Sequence, residues 1–327
     1  MKFLISSLLF LIVFISSGQN ELSYLDYHKK CRKAENLFIA DSLKECFNIY
    51  NSLFNKYEIL FTRDCFKAAQ FAHKSNNDSL AVEYILKGIE HGLNPKFFTE
   101  DSTSVYPVKM FELKNSKYWS KVEEQNDSLQ NVYLQKIDLK LKNDLMQMIR
   151  IDQDWRIKNN KWFNRVFRKG LEKKFKVDND EHMRYLDSLF KTTGYPGSWI
   201  TGIGDSLQYE TNYASFNNSN LSELPKIILY HNDSIFVKNG DFLLNEIDKG
   251  HIHPRVYAMI RDFRDRHLVK KNINEEMYYN IWWERENYTS EEYKKHCTDI
   301  GCPTKQHLRN LSKKLGGGYD IFWLPFR

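Results

Sequence analysis

Between Tyr24 and Gly92, apolar side chains recur at three- and four-residue steps in four successive blocks separated by short polar breaks. That spacing puts the apolar groups on one stripe of a helix, whereas a half-buried strand would alternate apolar and polar residues. The stretch is therefore predicted to form four amphipathic helices. The first ends near Ala40, and Asp41 is placed to cap a second that carries Leu43, Phe47, Tyr50 and Phe54. Thr62 is placed to cap a third with Cys65, Ala68, Ala69 and Ala72. Asp78 is placed to cap a fourth with Leu80, Tyr84, Ile85 and Ile89, which Gly92 stops.

The two halves of this stretch match each other. Asp41-Ser42-Leu43 returns as Asp78-Ser79-Leu80 at an offset of 37 residues, and Phe47 maps onto Tyr84 at the same offset. Small residues facing large aromatics across paired helices resemble the tetratricopeptide architecture, whose usual period is about 34 residues. That resemblance implies a concave face able to take a protein or peptide partner. With two units and loose motifs, a hairpin array made only for packing is the alternative.

Ahead of the helices, Lys2 is followed by an apolar run from Phe3 to Ile15, broken only by Ser6 and Ser7, and by small residues at Ser16 and Gly18. This is the pattern of an export signal. The run is short for a bilayer span and gives way to Gln19, Asn20 and Glu21, so cleavage near Gln19 is expected, with no membrane span afterwards. No cysteine precedes Cys31, so the tether of a lipoprotein is not expected. The expected location is periplasmic or extracellular. The remaining length suits two domains, placed at 19–126 for the tetratricopeptide-like region and 127–327 for a second helical domain, after a signal peptide at 1–18. A net charge of +6 is mild for 327 residues, so nucleic acid is not an expected partner.

Cys31, Cys46 and Cys65 fall at apolar positions of the first helices, where a thiol acts as a small hydrophobe. Cys297 and Cys302 flank a Thr-Asp-Ile-Gly turn and are close enough in sequence either to bridge in an oxidising compartment or to stay as thiols.

Asn94 to Ser120 reads as a loop with a short helix, broken by Pro95 and Pro107. A long helix is predicted next, with Leu134, Ile137, Leu141, Leu145 and Met148 on one stripe that continues to Asp152 and then Trp155 or Arg156. Charged groups thus stand where burial is expected. Lys158 to Lys176 interleaves basic residues with Trp162, Phe163, Phe167 and Phe175; a helix with a solvated basic face is expected rather than a contact with an anionic surface. A helix bearing Met183, Leu186, Leu189 and Phe190 ends at Gly194 and Pro196, and the glycines at 197, 202 and 204 are read as turn formers. Leu224, Ile227, Ile228 and His231 share a helical face. Helices are predicted from Asp241 to Lys249 and from Pro254 to about Arg266, with more between Glu275 and Leu315 and a docking tail at Ile321 to Phe326.

Together Asp152-Gln153 with Arg156, the Gly194-Tyr195-Pro196 turn with Gly202, His231, and Gly250 through Tyr257-Ala258 to Asp262 resemble a bacterial domain family of unknown function. That family is typified by an Asp-Gln-x-x-Arg helix, a Gly-Trp-Pro-like turn, a Gln-His pair and a Tyr-Ala-x-x-x-Asp helix. The likeness runs from about Asp144 to Arg266. Tyr230 stands where the Gln of the pair is expected, Asn179 and His182 where an Asp and an Asn would align, and the Gln-x-Tyr-Gly-Thr ending after Asp262 is missing. If members of the family are enzymes, these departures put the activity of this copy in doubt.

Asp152 and Arg156 are one helical turn apart and able to pair. His231 could exchange a hydrogen bond with Asp152 or Asp262, and a buried imidazole-carboxylate pair is the minimum kit for acid-base chemistry. The same residues would equally form a structural polar network across three helices. No Gly-x-Ser-x-Gly elbow accompanies them. His251 and His253 would point the same way in an extended segment, with His231, Asp233 or Asp262 to complete a zinc set, but helical His-Glu-x-x-His spacing and paired cysteine ligands are missing. Neither a metal nor a cofactor is expected. The reading is an all-α chain of tetratricopeptide-like hairpins and a second helical domain. It acts as an exported interaction module, or alternatively as a hydrolase-like enzyme using Asp152, Arg156, His231 and Asp262.

Overall fold

The computed structural model describes residues 22–95, 108–160, 168–202, 224–230, 235–267, 279 and 291–316. The expected signal peptide, residues 161–167 of the basic aromatic segment, Gly204 and the C-terminal tail lie outside them. The described elements are all helical, and no helix among them is long and apolar enough to cross a membrane. They are α1 (Tyr24–Ile39), α2 (Leu43–Lys56), α3 (Thr62–Lys74), α4 (Asp78–Glu90), α5 (Val108–Glu112), α6 (Ser120–Lys136), α7 (Leu139–Asn160), α8 (Arg168–Thr192), α9 (Ser198–Thr201), α10 (Leu224–Leu229), α11 (Ile235–Asp248), α12 (Pro254–His267), α13 (Glu291–Asp299) and α14 (Lys305–Leu315).

The first four helices form two hairpins, α1-α2 and α3-α4, and the turn inside each is the same structure built twice. Asp41 has φ 61° and Asn76 has φ 59°. The amide of Ser42 donates to Leu37 O at 2.9 Å, and that of Asn77 donates to Ala72 O at 2.9 Å. Asp and Asn tolerate this left-handed conformation better than most residues, which is why they occupy it. The turns are therefore related by 35 residues, not by the 37 of the sequence match. The expected caps shift by one position. Ser42 and Asn77 hold the N-cap positions, Asn77 accepts from Leu80 N at 3.2 Å, and Asp41 sits in the turn rather than on the cap. Thr62 is the first residue of α3, where its hydroxyl donates to His91 O at 2.9 Å.

The expected single helix through Leu134 and Leu145 is two. It breaks at Ile137, and Asp138 starts α7 by accepting from Leu141 N at 2.9 Å while its own amide donates to Ile200 O at 2.8 Å. Leu134 consequently points outward, at 46 % exposure, and the buried stripe begins at Leu141.

Two apolar cores result. The first holds Tyr27, Cys31, Phe38, Tyr50, Phe71 and Ile85, with Phe38 and Phe71 stacked at 4.0 Å. Leu308, Leu311 and Leu315 of α14 also belong to it, so the chain's last described helix returns to the N-terminal core rather than staying with the region 127–327. The second holds Leu145, Leu186, Tyr195, Ile228, Leu243, Val256, Ile260 and Cys297. Each such side chain contributes roughly 1.5–3 kcal/mol by leaving water. The cores are pinned together where Asp248 accepts from Ser23 Oγ at 2.5 Å and from Leu25 N at 3.2 Å, and where Tyr24 lies against Gly250.

Candidate functional site

Three arrangements bring polar chemistry together. The first is a surface groove of about 500 Å³ between α2, α4 and α6. Successive turns of α2 place Asn51 and Asn55 on one wall, α4 contributes Glu83, Lys87 and Glu90, and α6 contributes Gln125 and Leu129. Phe54 and Tyr84, both anchored in the first core, form its apolar floor. The Tyr84 hydroxyl donates to Asn51 Oδ1 at 2.9 Å, which turns the Asn51 amide hydrogens away from the core. Glu90 receives both Lys87 and Lys136 at 3.4 Å, which leaves that corner one positive charge in excess. Glu83 is exposed and has no such partner among the described residues. Side-chain amides carry donors and an acceptor side by side, the complement of an extended polypeptide backbone.

The second is a sealed charged cluster where the two cores meet, and none of it lines the groove. Glu35, wholly buried on α1, accepts from Lys67 Nζ at 2.6 Å and from His307 Nε2 at 2.5 Å and is ion-paired with Arg32. Burial opposes its ionisation, but Arg32, Lys67 and His307 outweigh that and hold the carboxyl well below the usual range. Beside it, the rings of His28 and His253 pack edge to face at 5.0 Å. Burial, with the positive charge of Arg63, Arg32 and Lys67, lowers both histidines well below 6.5, so they are neutral. Burial and the nearby Arg255 also bring Arg63 down to about 9.

His28, Asp64 and His253 each offer a ligand atom within 4.8 Å of the others, close enough for a three-ligand metal site. Their chemistry does not fit one. His253 Nδ1 accepts from Arg63 Nη1 at 2.9 Å and from Arg255 N at 3.1 Å, so the single proton of the neutral ring sits on Nε2, which then has no lone pair for a metal. A dication would also face Arg32, Arg63 and Lys67 in a low dielectric. The sequence-level alternative that paired His253 with His251 fails on direction, because the two rings part.

His251 belongs to the third arrangement. Glu246, fully buried near the end of α11, accepts from His251 Nδ1, Lys249 Nζ and Tyr195 N, each at 2.7 Å. Burial raises its pKa, and these three donors bring it down to about 2. Trp199 stacks on the His251 ring at 4.2 Å. Gly194 and Gly197 are required here: a Cβ at Gly194 would lie 2.4 Å from Glu246 Oε2, and one at Gly197 would lie 2.2 Å from His251 O. The Gly-Tyr-Pro-Gly turn is thus the seat of a carboxylate-imidazole pair.

Of the nominated residues, Asp152 is buried on α7 at 3 % exposure, where its charge acts on His182 of α8, which burial lowers below 6.5. Asp262 is fully buried on α12 and accepts from Tyr279 N at 2.8 Å. The Arg156 side chain and His231 lie outside the described residues. Glu246 and the Glu35 cluster escaped sequence inspection. Only the i,i+3 pairs Arg32–Glu35 and Asp64–Lys67 could have signalled the cluster, and such pairs are common on exposed helices. No family model, curated protein or solved structure matches the chain.

Proposed function

We propose that this is an exported binding protein whose tetratricopeptide-like hairpins hold an extended polypeptide segment in the groove between α2, α4 and α6. The observation that carries the reading is the groove's lining, three amide side chains over a floor of Phe54 and Tyr84. Asn51, Asn55 and Gln125 serve main-chain N–H and C=O groups of the segment, while the floor takes one apolar side chain. Glu83, the groove carboxylate that has no lysine against it among the described residues, favours a lysine or arginine beside it in the segment, by no more than about 1 kcal/mol at so exposed a position. Selection of random peptides displayed on phage, panned against the wild-type chain and counter-panned against N51A/N55A, tests this. Enrichment of peptides that bind the wild type at least tenfold better supports it. Peptides that bind both chains equally, or no enrichment at all, overturn it.

Hydrolase-like chemistry in the C-terminal half is the second reading, and the observation that favours it is the Glu246–His251 pair. A carboxylate on Nδ1 fixes the tautomer in which Nε2 can take up a proton. On this reading, hydrolysis of simple esters by the wild-type chain falls at least tenfold in H251N. Equal rates in the two proteins remove it.

A further inference from the structure

The C-terminal cysteines occupy a position that neither function uses. Cys297 lies in the last turn of α13 and Cys302 follows a turn at Gly301, where φ is 70°. The Cys302 amide donates to Cys297 O at 2.8 Å, which brings the two backbones together, and the Cys297 thiol donates to the Cys302 sulfur. Both are free thiols and buried. Tyr293 completes the row by donating to Cys297. On its other side the turn presses against the charged junction: a Cβ at Gly301 would lie 2.6 Å from the His28 Cβ. The guanidinium groups of Arg255, Arg32 and Arg63 act on Cys302 from there.

We propose that Cys297 and Cys302 are a redox-active pair, a dithiol that closes to a disulfide across the Thr298–Gly301 turn by exchange with a small-molecule disulfide of the glutathione class. Charge at the junction makes this pair unlike Cys31, Cys46 and Cys65. Burial opposes a Cys302 thiolate, but the hydrogen bond from Cys297 and the three arginines outweigh burial, so its pKa falls below the ordinary thiol value. As a thiol, Cys302 donates to Pro303 O at 3.9 Å, a long contact that holds the proton weakly. Cys31 and Cys65 are pushed well up by burial, which keeps them as thiols.

In the exchange, local opening of the turn first exposes the buried sulfur, and the Cys302 thiolate then attacks one sulfur of oxidised glutathione and expels a glutathione thiolate, which solvent protonates. Cys297 then loses its proton, attacks the Cys302 sulfur and expels the second glutathione, which receives that proton. Two electrons pass from the protein to glutathione. Closure consumes the negative charge that Cys302 sets against Arg255, Arg32 and Arg63, so those cations favour the reduced form.

The test is to refold the reduced full chain in buffers of graded glutathione ratio, quench in acid, alkylate and map the cysteines by mass spectrometry. A 297–302 disulfide with Cys31, Cys46 and Cys65 alkylated is the expected result, with R255Q half-oxidised at a ratio at least threefold more reducing. Full alkylation of Cys297 and Cys302 at every ratio, or their pairing with another cysteine, overturns the proposal. An unshifted midpoint in R255Q overturns the role given to the arginines.

Discussion

Replacing Glu35 by Gln keeps the shape of the side chain at the junction and removes its charge. In the wild type, the two carboxylate oxygens accept from three groups: Lys67 at 2.6 Å, His307 at 2.5 Å, and Arg32 as an ion pair. After the substitution Lys67 keeps only Asp64, at 3.4 Å, as an ionic partner, and the amide nitrogen of Gln turns one acceptor into a donor facing another donor. Breaking a buried pair by removing one member costs about 3–5 kcal/mol, because the charges left behind remain buried. Against a typical total of about 5–15 kcal/mol, that is a large share. Urea denaturation followed by circular dichroism reads it as a lower midpoint at unchanged slope. A loss below about 1 kcal/mol would refute the view that this carboxylate organises the contact between the cores. A pH series adds a second check. The folded pKa of Glu35 is depressed, so its contribution is complete above the unfolded value of 4.5 and disappears as pH falls toward the folded one. E35Q should flatten the stability curve in that window.

The two junction histidines act in a different window. Their folded pKa values lie below 6.5, so the unfolded chain binds more protons once pH falls under that value, and stability declines from there downward. From pH 7.5 to 5.5 each should cost about 1.4 kcal/mol, and H28Q should lose that much less than the wild type over the interval in paired urea titrations. Gly197→Ala must displace the His251 carbonyl, which a Cβ would approach to 2.2 Å; a loss of at least about 2 kcal/mol is expected, and an unchanged melting temperature would contradict the tight seat drawn for the Glu246–His251 pair. Export should leave an N-terminus near Gln19, read by intact-mass spectrometry of protein recovered from periplasm or medium, whereas recovery with Met1 retained would contradict export.

The helical class and the hairpins were legible because burial repeats along one strand of sequence. Phe47, Tyr50 and Phe54 declare a face within two turns, and Gly92 and Gly194 mark ends that the structure places at φ 99° and 88°. What went astray was local competition. Asp41 has a good capping side chain, yet it takes the left-handed turn position and cedes the cap to Ser42. Leu134 keeps the spacing of the α7 stripe, but Asp138 can satisfy the first amides of a new helix, and the chain bends there. The polar sites were less legible for a reason of distance. Glu35 meets His307 across 272 residues, and Arg63 meets His253 across 190, contacts that no periodicity announces. Asp152 could be singled out because it continues an apolar stripe, and Asp262 because it closes the Tyr-Ala-x-x-x-Asp resemblance, and both are buried. Glu246 interrupts an apolar face, but it shares its helix with enough polar residues to pass for a solvated position.

The claim that the groove between α2, α4 and α6 receives a polypeptide is tested most directly by photo-crosslinking. A benzophenone amino acid is placed at position 55 in the groove, or at the exposed position 33 on α1 as a control, and each chain is irradiated with a peptide recovered from the phage selection. The account predicts a crosslink from position 55 that excess unlabelled peptide abolishes, and none from position 33. Crosslinking from position 33 alone, or equally from both, would contradict it.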